Sequence, residues 1–204
     1  MNHKVKGVQE LYASAEQLYK DGVTGGESSA DGIIKNLIQG IENLKQNWKG
    51  MDAGLRIQEV INVHNSMIVV RNNLASLASE SSKIAVNYRQ IQMANGVRAD
   101  ELHIINFEPK QKLDEYTDTA DTIDINPEAL VGKQFIDNAN GALDGFESFV
   151  RSKHSEIMSN WLAGPGRNEA ESAFESYMSN IKKYKETLSE VSNNITSALQ
   201  NYDF

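Results

Sequence analysis

The histidines have the widest choice of chemistry in this sequence, because imidazole can bind a metal ion or transfer a proton near neutral pH. The sequence contains four of them: His3, His64, His103 and His154. Metal sites in helical bundles commonly place Glu three residues before His, so that both ligands lie on one helix face. Only Asp100 and His103 offer an acid at this spacing, and their segment lacks helical periodicity. We therefore expect no metal ion and no other cofactor.

The motifs of nucleophilic and phosphate-binding enzymes are absent from the sequence. It contains neither Gly-x-Ser-x-Gly nor a Walker loop, and Gly164-Pro165-Gly166 follows a predicted helix where a dinucleotide site needs a strand. The adjacent carboxylates Asp114 and Glu115 lie in a solvated acidic segment, where a catalytic acid is not expected. We expect no catalytic residues and no enzyme activity.

The charge balance excludes further classes of function. The 204 residues include 20 Lys and Arg against 28 Asp and Glu, a formal net charge of -8. Phosphate binding needs a basic face, so we expect no nucleic-acid partner. No stretch approaches the roughly 18 apolar residues of a membrane span, and the first residues lack the apolar core of a cleavable signal peptide. The absence of cysteine fits a cytosolic protein or one exported without disulfides.

The elements that must position any site begin with two helical stretches. Apolar residues recur every three or four positions over residues 5–48, which is typical of an amphipathic helix. The first stretch is predicted to end near Lys20, and the glycine-rich residues 21–32 are predicted to form a loop. The stripe resumes at Ile34 and ends at Trp48.

A second, longer helix is predicted after a tight turn. Gly50 acts in this interpretation as a helix stop and Asp52 as an N-cap. Residues 55–93 contain neither Gly nor Pro, so one helix of roughly 65 Å is predicted from Asp52 to Asn95. On it we interpret His64 as a half-buried residue with satisfied hydrogen bonds. Arg71 is expected to pack its stem on the bundle and keep its charge in solvent.

Residues 97–126 show no helical periodicity and are predicted to form an acidic connector. Its apolar run Leu102–Phe107 is predicted to be either a short strand or a segment docked on a helical groove, and docking is favoured. Pro109 closes this run. Any strand in the protein is expected within residues 100–108.

The second half begins at Asn126, which is predicted to cap a helix that runs to Trp161. Asn168 and Glu171 have capping-box spacing before the last helix. That helix has apolar residues at alternating intervals of three and four, which predicts a continuous packing seam. The seam comprises Phe174, Tyr177, Ile181, Tyr184, Leu188, Val191 and Ile195, and continues to Tyr202.

The chain thus has the same plan twice: a helix, a Trp and Gly turn, and a long helix. Two arms of similar length joined by a short turn form an antiparallel hairpin. We predict an all-α fold of two such hairpins, residues 1–96 and 127–204, joined by the acidic connector at 97–126. The hairpins are expected to pack as an elongated four-helix bundle.

Trp48 and Gly50, one residue apart between two amphipathic arms, resemble the turn of the WXG helical-hairpin proteins of type VII secretion. Trp161, Gly164 and Gly166 look like a lengthened second copy. The resemblance implies hairpins that pair antiparallel and leave the cell without a cleavable signal, often with larger effectors. It implies a protein partner, either an effector or the secretion machinery. It also implies a secreted or cell-surface location after synthesis in the cytoplasm.

The two turns are then candidate sites of partner recognition. The Trp48 and Trp161 rings are also expected to pack at the ends of the hairpins and hold their arms together. Family members commonly carry Tyr-x-x-x-Asp/Glu after the second helix. Here Tyr177 and Tyr184 are followed four positions later by Ile181 and Leu188. The resemblance therefore points to a partner as the source of an export signal.

Two other functions stay open on the sequence: a cytosolic helical adaptor or chaperone, and a structural rod protein without export. The connector is long enough to return along the bundle. We therefore expect a monomer formed by internal pairing of the hairpins, with a homodimer as the alternative.

Overall fold

The computed structural model describes residues 3–201 and is about 71% helical, which confirms the prediction of a mostly helical chain. Its elements are β1 (Lys4–Val5), α1 (Val8–Gln17), a π-helix (Leu18–Val23), α2 (Ala30–Asn47), β2 (Trp48–Lys49), α3 (Met51–Ala94), β3 (Asp124–Ile125), α4 (Ala129–Asn160), β4 (Trp161–Ala163), α5 (Arg167–Met178) and α6 (Ile181–Gln200). Tyr202, predicted to continue the seam, lies outside the described residues. Within residues 3–201 no helix is both long and apolar enough to cross a bilayer.

The first helical arm is longer than predicted. α1 continues directly into the π-helix, so helical structure ends at Val23 and not near Lys20. The predicted loop shrinks to residues 24–29 because Ser29 caps α2: its hydroxyl oxygen accepts a hydrogen bond from the Gly32 N–H at 3.1 Å.

α3 is a single helix of 44 residues, as the run without Gly or Pro predicted. Asp52 was wrongly predicted as its N-cap. It is the second residue of the helix, and its carboxylate lies 3.6 Å from the Arg56 guanidinium. Gly50 is the residue that precedes the helix, and Gly96, with φ of +86°, follows its end.

The helices pack around one apolar core. α2 lies against α4, α1 and α2 pack on α3, and α6 packs on both α3 and α4. α2 and α4 approach closely at two glycines. A Cβ added to Gly40 would lie 3.1 Å from the Gly132 carbonyl oxygen, and one added to Gly132 would lie 3.1 Å from Leu44 Cγ. This packing is compatible with a helical bundle.

The last arm is two helices and not the predicted one. α5 ends at Met178 and α6 begins at Ile181. The side chains of Ser179 and Asn180 both donate to the Ser176 carbonyl oxygen, at 2.8 and 3.0 Å, so they compete for the backbone at the end of α5.

The capping box predicted at Asn168 and Glu171 is wrong. α5 begins at Arg167 after Gly166, which has φ of +80°, so Asn168 is already the second helical residue. Glu171 accepts a hydrogen bond from Arg167 at 3.1 Å and thus pairs one turn along its own helix.

The strand expected within residues 100–108 is also wrong: these residues, all described by the structure, form no strand. Within residues 3–201 the strands are instead the four short segments β1–β4. The docking alternative is confirmed. Leu102 is buried, Ile105 and Phe107 pack against the core, and the Ile105 N–H donates to the Ser82 hydroxyl at 2.9 Å.

Residues 100–118 run back along α3 in an extended conformation. The Asn65 side-chain amide donates to the Leu113 carbonyl at 2.9 Å and accepts from the Leu113 N–H at 2.8 Å. Asn72 makes the same pair of bonds with Lys110, both at 3.0 Å. Because these bonds go to the main chain, α3 holds the connector largely independently of its side chains.

Candidate functional site

The first tryptophan turn joins α2 to α3. The Trp48 side chain is only 1% exposed, so its ring is part of the core. Gly50 has φ of +112°, which side-chain-bearing residues rarely adopt, and an added Cβ would lie 3.2 Å from the Thr122 carbonyl oxygen. The Asp118 carboxylate accepts the N–H groups of Ala120 (2.9 Å) and Gly50 (3.1 Å). These bonds, the first most strongly, hold the pKa of Asp118 below its usual value.

The second turn joins α4 to α5 and is longer. Trp161 is 3% exposed and meets the His3 ring edge-on, with centroids 5.7 Å apart. Gly164 and Gly166 have φ of +138° and +80°, and a Cβ on Gly164 would lie 2.8 Å from His3 Cα. Arg167 Nε donates to the Trp161 carbonyl at 2.6 Å. Trp161 Nε1 is buried without a hydrogen-bond partner among the described residues.

Each turn pairs with the segment that precedes the first helix of the other half. β2 lies antiparallel to β3, with Trp48 opposite Ile125. β1 lies antiparallel to β4, with Val5 opposite Trp161. The two tryptophans therefore occupy the same structural position in the two halves of the chain.

The hydrogen bonds next to these strand pairs repeat as well. The Asn126 N–H donates to the Asn47 carbonyl at 2.8 Å, and the Lys6 N–H donates to the Asn160 carbonyl, also at 2.8 Å. In both cases the acceptor directly precedes the tryptophan. Sequence reasoning missed these strands because two or three residues are too few to show alternation; the repeated Asn-Trp pair was the available signal.

The predicted seam is only partly continuous. Its members divide between buried residues (Phe174, Ile181, Leu188, Val191 and Ile195) and half-buried tyrosines (Tyr177 and Tyr184). Burial raises the pKa of Tyr177 to about 12. The break at Ser179 and Asn180 separates the first two seam residues, on α5, from the rest on α6.

Two of the four histidines, His64 and His154, are buried. His64 is 1% exposed; its Nδ1 lies 2.9 Å from Asn65 Oδ1, but its Nε2 has no partner within residues 3–201, so the prediction of a half-buried, satisfied residue is wrong. His154 stacks on Phe174 with ring centroids 3.8 Å apart. Burial lowers the pKa of both histidines. Among the described residues, no three His, Asp or Glu side chains are grouped to hold a metal ion.

Arg71 does not place its charge in solvent, contrary to the prediction. The residue is 5% exposed, and its guanidinium donates to Asp31 Oδ1 at 3.0 Å and to the Glu108 carbonyl at 2.7 Å. It therefore links α2, α3 and the connector. The long aliphatic part of an arginine side chain can carry the guanidinium to solvent, but it also allows the guanidinium to be buried where hydrogen-bond acceptors surround it.

Comparison of the chain with protein-family models, with curated proteins and with solved structures finds no match in any of the three. The geometry of the two turns therefore carries the functional argument.

Proposed function

We propose that this chain is a tandem WXG-type interaction protein of type VII secretion, exported itself or acting as a partner or targeting factor for a larger effector. In this proposal residues 1–96 and 127–204 are two antiparallel helical hairpins. The connector at 97–126 joins them, and they close into an elongated four-helix bundle within one monomer.

The observation that supports it best is the reciprocal pairing of the two turns. Each Trp turn pairs with the segment that precedes the first helix of the other half, and the carbonyls of Asn47 and Asn160 accept equivalent hydrogen bonds. Two separate hairpins that associate antiparallel would place each turn beside the other's first residues in this way. The duplicated chain achieves the same arrangement through covalent linkage, which raises the effective concentration of the second hairpin to about millimolar.

The chemistry of the turns favours interaction over catalysis. Both tryptophan rings are buried. Because Gly50 and Gly164 have no side chain, other backbone approaches them closely: an added Cβ would lie 3.2 Å from the Thr122 carbonyl oxygen of the connector and 2.8 Å from His3 Cα of the first half. What the second turn offers a partner is the exposed Leu162 beside Trp161. A single exposed apolar side chain is common on protein surfaces, so the role of Leu162 is decided by substitution.

Export from a bacterium that encodes the protein tests the proposal. The protein is expected in the culture supernatant when the type VII secretion ATPase is intact and only in the cell when the ATPase is deleted. Leu162→Ala is expected to reduce export with little change in thermal stability. Leu130→Ala, at an exposed leucine near the opposite end of α4, serves as the matched control. Equal amounts in the supernatant with and without the ATPase would favour a cytosolic adaptor or rod protein.

A further inference from the structure

Exposed apolar side chains are concentrated at the two ends of this protein. The helix α3, whose 44 residues span about 66 Å, connects these ends. Between the ends, the exposed large apolar side chains within residues 3–201 are only those of Val69 and Ile104. Single side chains of this kind are ordinary on a protein surface, whereas a group of them commonly marks an interaction surface. The two ends are therefore the candidate surfaces.

The first surface is the Trp48 end, where the pairing of β2 with β3 brings the starts of α3 and α4 together. Ile123 adjoins the first turn of α3, since a Cβ added to Gly50 would lie 3.6 Å from Ile123 Cγ1. Five large apolar residues with exposed fractions from 42% to 66% lie at this end: Met51, Leu55, Ile123, Leu130 and Val131.

The second surface is the Trp161 end, formed by the last turns of α3 together with β1 and β4. The Tyr88 hydroxyl donates to the His3 carbonyl, and Arg89 donates to Gln9 Oε1 at 2.8 Å, so α3 ends beside β1 and the start of α1. β4 pairs with β1 at the same place. Four large apolar residues with exposed fractions from 41% to 58% lie at this end: Ile91, Met93, Val97 and Leu162.

The Trp48 end is acidic. Its lysine and arginine side chains are only half-exposed, and Arg56 and Lys133 are already paired with Glu59 and Asp137 at 3.1 and 2.7 Å. Within residues 48–56 and 121–133 the exposed charged residues are all acids: Asp52, Asp121, Asp124 and Glu128. Two Trp48 ends would therefore bring like charges together, which opposes their association.

The Trp161 end offers the opposite charge. It carries three exposed cations, Lys4, Lys6 and Arg98. Three exposed acids lie near them: Glu10, Asp100 and Glu101. Contact between two Trp161 ends would leave the larger apolar group, at the Trp48 end, uncovered. Contact between unlike ends covers both apolar groups and places cations opposite the acidic end.

We propose that the Trp48 end of one copy of this chain binds the Trp161 end of a second copy. The contact is heterologous, and each added copy presents the same two free ends, so the copies join into an open chain. A contact of this size is weak, with a dissociation constant on the order of 0.1–1 mM. This inference goes beyond the proposed function and requires neither export nor a different partner protein.

Sedimentation equilibrium of the full chain, at concentrations up to about 1 mM, measures this association. The average mass is expected to increase with concentration and to pass that of a dimer, because an open chain of copies always has free ends. A contact between two like ends would stop at the dimer.

Three exposed positions on α3 provide matched variants. Leu55→Lys places a positive charge opposite the cations of the next copy, and Ile91→Glu places a negative charge opposite the acids. Each is expected to weaken association about tenfold or more, measured at the concentration at which the unmodified protein has the average mass of a dimer. Val69→Lys and Val69→Glu, between the two ends, are expected to associate as the unmodified protein does.

Mixing the two blocking variants distinguishes unlike from like ends. Leu55→Lys keeps an intact Trp161 end and Ile91→Glu an intact Trp48 end, so their mixture is expected to form dimers and nothing larger. Circular dichroism checks that the variants are folded, and Met51→Lys with Met93→Glu is a second blocking pair. The proposal is overturned if the unmodified protein stays monomeric up to about 1 mM, if either blocking variant alone still dimerises, or if the Val69 variants lose association as well.

Discussion

The close contact of α2 and α4 predicts opposite effects for two glycine-to-alanine substitutions on the same helix. Gly132 faces α2: its N–H donates to Asn43 Oδ1 at 3.0 Å, and an added Cβ would lie 2.6 Å from that oxygen and 3.1 Å from Leu44 Cγ. Gly141, nine residues further along α4, is exposed, and an added Cβ there would meet nothing within 4 Å. The two sites differ in packing and share their helix.

Three contributions determine the expected changes in the free energy of unfolding. Alanine is favoured over glycine in a helix by about 1 kcal/mol, and at Gly141 this is the whole effect, so Gly141→Ala stabilises by up to that amount. At Gly132 the gain is opposed by overpacking against Leu44, about 1–3 kcal/mol, and by the displaced Asn43 bond, about 1 kcal/mol. Gly132→Ala is therefore expected to destabilise by about 1–3 kcal/mol.

Urea denaturation followed by circular dichroism measures both free energies of unfolding. Gly145→Ala, which also meets nothing within 4 Å, repeats the control. The reasoning is refuted if Gly132→Ala is as stable as Gly141→Ala, because α2 and α4 then do not touch at this point.

Two further predictions use the same assay. Trp161→Ala is expected to destabilise by about 3–5 kcal/mol because the ring is buried, whereas the neighbouring exposed Leu162→Ala changes stability by less than about 0.5 kcal/mol; similar values for both would show that the ring is no staple. Burial lowers the pKa of His64 and His154 in the folded state, so below about pH 6.5 the unfolded chain binds more protons than the folded one. The free energy of unfolding therefore decreases as the pH is lowered, by up to about 1.4 kcal/mol per pH unit for each histidine. Replacing both by Gln should flatten this dependence between pH 7.5 and 5.5, and an unchanged slope would assign it to other groups.

The long helices were predictable because their signal is long. α3 has 44 residues without Pro and with Gly only in its first turn, and such a run leaves few alternatives. The break at Ser179 and Asn180 was not predictable from periodicity, since the apolar intervals continue across it. It depends on side chains that bond the local backbone, a competition that hydrophobic spacing does not record.

The candidate site was predictable in its residues and not in its contacts. Trp48 and Trp161 stand out by type and position, yet the strands that pair with them are two or three residues long and come from distant parts of the chain. The burial of Arg71 likewise depends on Asp31 and on a connector carbonyl, neither of which is near it in sequence.

The bonds between α3 and the connector constrain how this protein can change in length. On α3 the amide side chains stand seven residues apart, and their connector partners stand three apart: Gln58 with Tyr116, Asn65 with Leu113, and Asn72 with Lys110. Seven helical residues advance about 10.5 Å and three extended residues about 10 Å, so the two repeats stay in step. A single residue inserted between Lys110 and Tyr116 would put the connector out of step with the side chains of α3. The two segments can be lengthened or shortened in register only together, when three connector residues and two turns of α3 are added or removed at the same time.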